Sequence, residues 1–150
     1  MSNAIRRKVT LGVVIGSRAF FSPAPCLDAR TEVLAQLADL GIDAVILPYE
    51  ATANGAVQSI ADAELYARAF KAHPGGIDGL VICLPNFGDE IAIIELVNRA
   101  KLNVPILLQA SNDEVTKVSV SERRDAFCGK ISVTNNFRQY GVPFSVTMLH

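Results

Sequence analysis

At 150 residues, half of them hydrophobic and 19% charged, the chain is sized for one domain with a real core and is richer in apolar residues than a small monomer needs. Fourteen basic against fifteen acidic residues leave a formal net charge of -1 with no basic stripe, which argues against nucleic acid as a partner. No apolar run reaches the roughly 18 residues that span a bilayer, and Arg6, Arg7 and Lys8 lead into strand-like sequence rather than a cleavable leader, so no membrane contact is expected and the cytoplasm is the expected compartment.

The apolar pattern then alternates between strand and helix. Val9 to Ile15 is apolar almost throughout, as suits a strand buried on both faces of a parallel sheet. Pro23 and Pro25 punctuate a loop, after which Val33, Leu34, Leu37 and Leu40 form the stripe of a helix that Gly41 stops. A strand from Ile42 to Leu47 ends at Pro48, and Ser59 with Asp62 reads as a variant capping box opening a helix to about His73. Pro74, Gly75 and Gly76 close it. Ile77 to Leu84 is the third strand, followed by a turn from Pro85 to Gly88 and a helix marked by Ile93, Leu96, Val97 and Ala100. Val104 to Ala110, a helix from Gly129 to Tyr140 and a strand from Phe144 to Leu149 complete the series. Strands and helices joined by short connections predict right-handed crossovers and a three-layer, flavodoxin-like α/β domain over residues 1–150, with a mostly parallel, doubly wound sheet of about five strands in the order 2-1-3-4-5. A domain of this kind usually finishes with a covering helix, so the end at His150 suggests a fragment of a longer chain, the alternative being a naturally four- or five-stranded domain with a frayed end.

In open parallel sheets, ligands sit beyond the carboxyl ends of the strands, where strand order reverses. That rule selects Gly16, Ser17, Arg18 and Phe20 after the first strand, Asn86, Phe87, Gly88 and Asp89 after the third, and Gln109, Ser111 and Asn112 after the fourth. The candidate substrate-binding residues are Arg18, Asn86, Phe87 and Gln109: a planar guanidinium fork, two amides that donate and accept, and a ring able to cover an apolar sugar face. Against this, Arg18 also reads as a solvated loop cation and Phe87 as packing under its loop. Asp89 and Glu90 open a helix, where the dipole favours carboxylates without any chemistry, and that structural reading is preferred for both.

Sharper chemistries lack their residues. The spaced glycine turn of a dinucleotide site and a phosphate loop are missing from the sequence. With histidines only at positions 73 and 150, no metal site is expected in this chain. Cys26, Cys83 and Cys128 are odd in number and far apart, which predicts reduced thiols, Cys83 being a small buried hydrophobe. No catalytic residue is assigned.

Four strings are less generic: Gly12-Val-Val-Ile-Gly-Ser-Arg-Ala-Phe-Phe21, Leu84-Pro-Asn-Phe-Gly-Asp-Glu90, Val104-Pro-Ile-Leu-Leu-Gln-Ala110, and the long polar run from Arg123-Arg-Asp-Ala-Phe-Cys-Gly-Lys to Asn136-Phe-Arg-Gln-Tyr-Gly141. Together they resemble the N-terminal domain of the L-fucose/L-arabinose isomerase family. The resemblance implies a cytosolic homo-oligomer that interconverts aldoses and ketoses with a divalent metal, usually Mn2+, whose ligands and proton-transfer carboxylates lie in later domains of the same chain. This domain would then supply Arg18 and the Asn86-Phe87 loop to a small sugar held in a site completed by a neighbouring subunit, and no isomerase activity is expected of it alone. Arginine follows Gly16-Ser17 where arabinose isomerases carry glutamine, so the preferred aldose is not taken to be arabinose. Half of a periplasmic-type sugar-binding domain is the alternative, on the strength of Gly41-Ile-Asp43, Ile77-Asp-Gly-Leu-Val-Ile82 and Asn103-Val-Pro-Ile106.

Overall fold

The computed structural model describes residues 7–148 and is built on a five-stranded, all-parallel sheet. In chain order the elements are β1 (Thr10–Ile15), α1 (Ala24–Asp39), β2 (Asp43–Val45), two 3-10 turns (Tyr49–Ala51 and Ala53–Gly55), α2 (Ile60–Ala72), β3 (Gly79–Leu84), α3 (Glu90–Ala100), β4 (Ile106–Ala110), α4 (Ala126–Gln139) and β5 (Ser145–Val146). The strand order is β2-β1-β3-β4-β5, the flavodoxin-like order expected from the sequence. No helix among the described residues is long and apolar enough to cross a membrane.

Alternation along the strands divides the core into two layers. Val14, Leu80, Ile82, Leu84, Ile106 and Leu108 face α2, α3 and α4, where Tyr66, Phe70, Leu96 and Phe137 fill the space. Val13, Ile15, Val81 and Cys83 face the other way onto Cys26 and Leu37 of α1. Each fully buried aromatic or aliphatic side chain contributes about 1.5 to 3 kcal/mol by leaving water. The thinner layer stops short of β4, where Leu107 stays 37% exposed on the α1 face.

Several boundaries shift from the expected ones for identifiable reasons. The first helix begins at Ala24, with Pro23 as its N-cap and Pro25 in its first turn, where a missing N–H costs nothing. Its end follows the sequence: Gly41 takes φ +70°, and its N–H and that of Ile42 return to the carbonyls of Ala38 and Leu37 at 2.9 Å each. Ser59 caps α2 by accepting the Asp62 N–H at 3.2 Å, while the Asp62 carboxylate reaches back to the Gln58 N–H at 3.0 Å instead of to the cap residue. The last helix starts at Ala126, three positions before the expected Gly129, because Asp113 supplies its cap from across a loop. The two Asp113 carboxylate oxygens accept the N–H groups of Ala126 and Phe127 at 2.8 and 3.1 Å. The closing strand is only Ser145–Val146, and the expected end at Leu149 lies outside the described residues.

At the opposite end of the sheet from the candidate site, Asp78 ties the start of β1 to β3. Its backbone N–H donates to the Thr10 carbonyl at 2.8 Å, and its carboxylate accepts the Thr10 N–H at 2.9 Å and pairs with Arg7. The Thr10 N–H, then the Arg7 charge, hold the Asp78 carboxyl below its ordinary value of 3.8. A carboxyl depressed in the folded state binds protons more readily when unfolded, so its contribution is present above the ordinary value and fades as pH falls through the folded one. Denaturation midpoints of the wild type and Asp78→Asn should therefore differ at pH 7 and converge in strong acid; parallel curves across that range would remove Asp78 from the acid response.

Candidate functional site

The carboxyl ends of β1 and β3 converge on a buried amide. Asn86 has no exposed surface; its Nδ2 donates to Ser17 Oγ at 2.9 Å, and its Oδ1 accepts the N–H groups of Arg18 at 3.2 Å and Gly88 at 3.1 Å. One side chain thus satisfies three partners on two loops that would otherwise carry unpaired polar groups below the surface. Ser17 is 1% exposed and its own N–H donates to the Val57 carbonyl at 3.1 Å, which anchors the β1 loop to the chain entering α2 as well.

Arg18 and Phe87 emerge from this anchor side by side. The Arg18 guanidinium carbon stands 4.4 Å from the centroid of the Phe87 ring, and its Nη2 pairs with Glu90 Oε2 at the start of α3. Arg18 Nε is buried without a hydrogen-bond partner. The Arg18 side chain is 34% exposed, so the pair with Glu90 is only partly open to water. Beyond it the stack continues: Phe87 lies against Phe21 with centroids 6.2 Å apart and planes 16° from parallel, and Arg123 from the loop after β4 stands 5.8 Å from the Phe21 ring. Three strand-end loops are therefore joined by two stacked rings with a cation at each end, each contact contributing roughly 0.5 to 1 kcal/mol at such a partly exposed position.

The strand-end rule brought three of its four candidates together. Gln109 stands apart, one residue inside the end of β4 beside Cys83, with its amide donating to the Ala110 carbonyl at 2.8 Å. Sequence reasoning missed Glu90, which is more than a dipole-favoured helix opener since it pairs with Arg18. Asp89 fits the structural reading, accepting the Ala92 N–H at 2.8 Å as the cap of α3. Phe21 and Arg123 were also missed; Arg123 lies more than a hundred residues from its ring, and no local pattern announces that contact.

Neither buried thiol is activated as a nucleophile. Burial pushes the Cys83 thiol up to about 12, and burial raises that of Cys26 despite its hydrogen bond to Ser17. Nor do the carboxylates fit a metal, since Glu90 is occupied by Arg18 and Asp89 and Asp113 by helix N–H groups. Among the described residues no three His, Cys, Asp or Glu side chains converge as ligands.

Gly129 sets the position of the ring. A Cβ built on it would lie 1.8 Å from the Phe87 carbonyl oxygen, so α4 can touch the Phe87 backbone only because position 129 has no side chain. Gly129→Ala should push the Phe87 loop away and destabilise the domain by about 1 to 3 kcal/mol, the usual cost of overpacking. A lowered denaturation midpoint with a displaced Phe87 ring in the variant's structure is the expected result; an unchanged midpoint would mean that α4 moves aside freely.

No curated protein matches the chain. The model of one protein family does, over residues 12–150, and its description is fucose/sulfoquinovose isomerase, N-terminal domain. The match takes in every element from within β1 to the end of the chain, including the Asn86 anchor, the Arg18-Phe87 pair and the long polar run of α4. This chain belongs to the fucose/sulfoquinovose isomerase family, as its N-terminal domain.

Proposed function

We propose that this domain supplies substrate-contacting groups to the active site of an aldose-ketose isomerase. The observation that carries this reading is the Arg18 guanidinium, held over Phe87 at 4.4 Å on the loops that leave the carboxyl ends of β1 and β3. Arg18 donates to sugar hydroxyls, the Phe87 edge packs on an apolar patch of the ring, and Asn86 acts from beneath by fixing both loops. Gln109 stands apart from the set and would reach the sugar only if its amide left the Ala110 carbonyl.

Isomerisation moves a proton between carbons 1 and 2 of the sugar, which calls for an acid-base pair and a polarising group. The carboxylates of this rim are engaged elsewhere, so those groups, with a divalent metal such as Mn2+, come from further domains or from a neighbouring subunit of a cytoplasmic homo-oligomer. Apolar side chains around the crevice favour such an arrangement: Phe20 is 63% exposed, and Val115 and Val118 on the loop after β4 are more exposed still.

The test is Arg18→Ala in the complete oligomer. A charge-assisted hydrogen bond is worth about 1.5 to 3 kcal/mol, so kcat/KM should fall by roughly ten- to a hundredfold, while the melting temperature changes little because the lost side chain is partly exposed. Unchanged kcat/KM for every aldose tried would make Arg18 a surface cation and end this assignment.

A further inference from the structure

We infer that Glu90 makes this site selective for uncharged aldoses over aldoses that carry a sulfonate or another anionic substituent, an inference that rests on Arg18 being a substrate contact. The family's description spans both kinds of sugar, fucose being neutral and sulfoquinovose bearing a sulfonate. An enzyme that grips a sulfonate needs a guanidinium or ammonium whose charge is not already matched.

The Arg18 guanidinium is not such a group. Arg18 pairs with Glu90, and the side chains are only 34% and 23% exposed, so water screens the pair incompletely. Arg123 lies 3.2 Å from the Asp125 carboxylate, and Arg124 lies 3.5 Å from Glu114. Arg123 thus also has a carboxylate beside it, while Glu114 is shared by Arg124 and Lys117, and Arg30, farther off on α1, donates to the Leu47 carbonyl. An anion approaching the Arg18 fork would come within about 4 to 6 Å of the Glu90 carboxylate, a separation at which like charges oppose each other strongly. Glu90 cannot easily withdraw, because it is the first residue of α3 and the positive end of the helix holds its charge there.

A neutral polyol meets the opposite situation. Its hydroxyls both donate and accept, so one hydroxyl can donate to Glu90 while its oxygen or a neighbour's accepts from Arg18. The ion pair therefore presents a donor and an acceptor side by side, matched to a pair of sugar hydroxyls and mismatched to a sulfonate, which only accepts. Phe87 beneath the guanidinium adds an apolar surface suited to a ring face or a 6-deoxy methyl group.

The experiment compares kcat/KM for L-fucose and for sulfoquinovose in the complete oligomer, for the wild type, Glu90→Gln and Arg18→Ala. The ratio of the two constants within one variant does not depend on how much of it is folded. The wild type should favour the neutral sugar by at least about tenfold, and Glu90→Gln should shrink that ratio by about tenfold. A wild type that prefers sulfoquinovose, or a ratio that Glu90→Gln leaves in place, overturns the inference while leaving Arg18 as a contact if Arg18→Ala still lowers both constants. Arg18→Ala without effect on either constant overturns the contact itself and the inference with it.

Discussion

Asn86 is a neutral amide with no access to water, and a buried amide is tolerated only when its donors and acceptor are engaged. Its partners all lie on the two loops that leave β1 and β3, so the energy of satisfying one side chain is also the energy of holding those loops together. The placement of Arg18 over Phe87 follows from this, because the Arg18 N–H and the Gly88 N–H adjoin those two side chains and are fixed by the same oxygen. Pairing with Glu90 and stacking on Phe21 then restrict side chains whose backbones are already set. The sheet supplies a crevice; the amide decides what faces it.

The regular elements were legible because each rests on local pattern. Apolar runs such as Gly79 to Leu84 are buried along their whole length, and the Ser59 and Gly41 signals work within a few residues of the helices they bound. At α4, where expectation and structure part, the cause is distant in sequence. Asp113 caps a helix that starts thirteen residues later, so no spacing near Gly129 reveals that α4 begins at Ala126. Strand ends were drawn too long for a related reason: Ile77, Ile46, Leu47 and Val104 are apolar through packing on the helices, outside the ladder itself.

The candidate site was legible in part for the same reason. Position relative to strand ends follows from topology, and topology followed from the alternation of elements, so Arg18, Asn86 and Phe87 were reachable from sequence. Their division of labour was not. Nothing in the string Leu84-Pro-Asn-Phe-Gly-Asp-Glu90 distinguishes the amide that turns inward from the ring that turns outward, or the acid that caps a helix from its neighbour that meets an arginine. Those assignments depend on which way each side chain leaves the turn.

The remote cap of α4 ties the opening of the helix to the behaviour of the loop that precedes it. Residues 114 to 125 form a closed excursion whose neck is the pair of hydrogen bonds from Ala126 and Phe127 to Asp113. Breaking that neck releases the loop and frees the first turn of α4 in a single event, so the backbone amides at that end exchange their hydrogens with solvent as one cooperative group. Phe87 rests on that same stretch of helix through Gly129, and the fluctuation therefore reaches the aromatic ring of the crevice. Holding the ring in place thus also holds the helix end, over a path made of two backbone contacts and no moving domain.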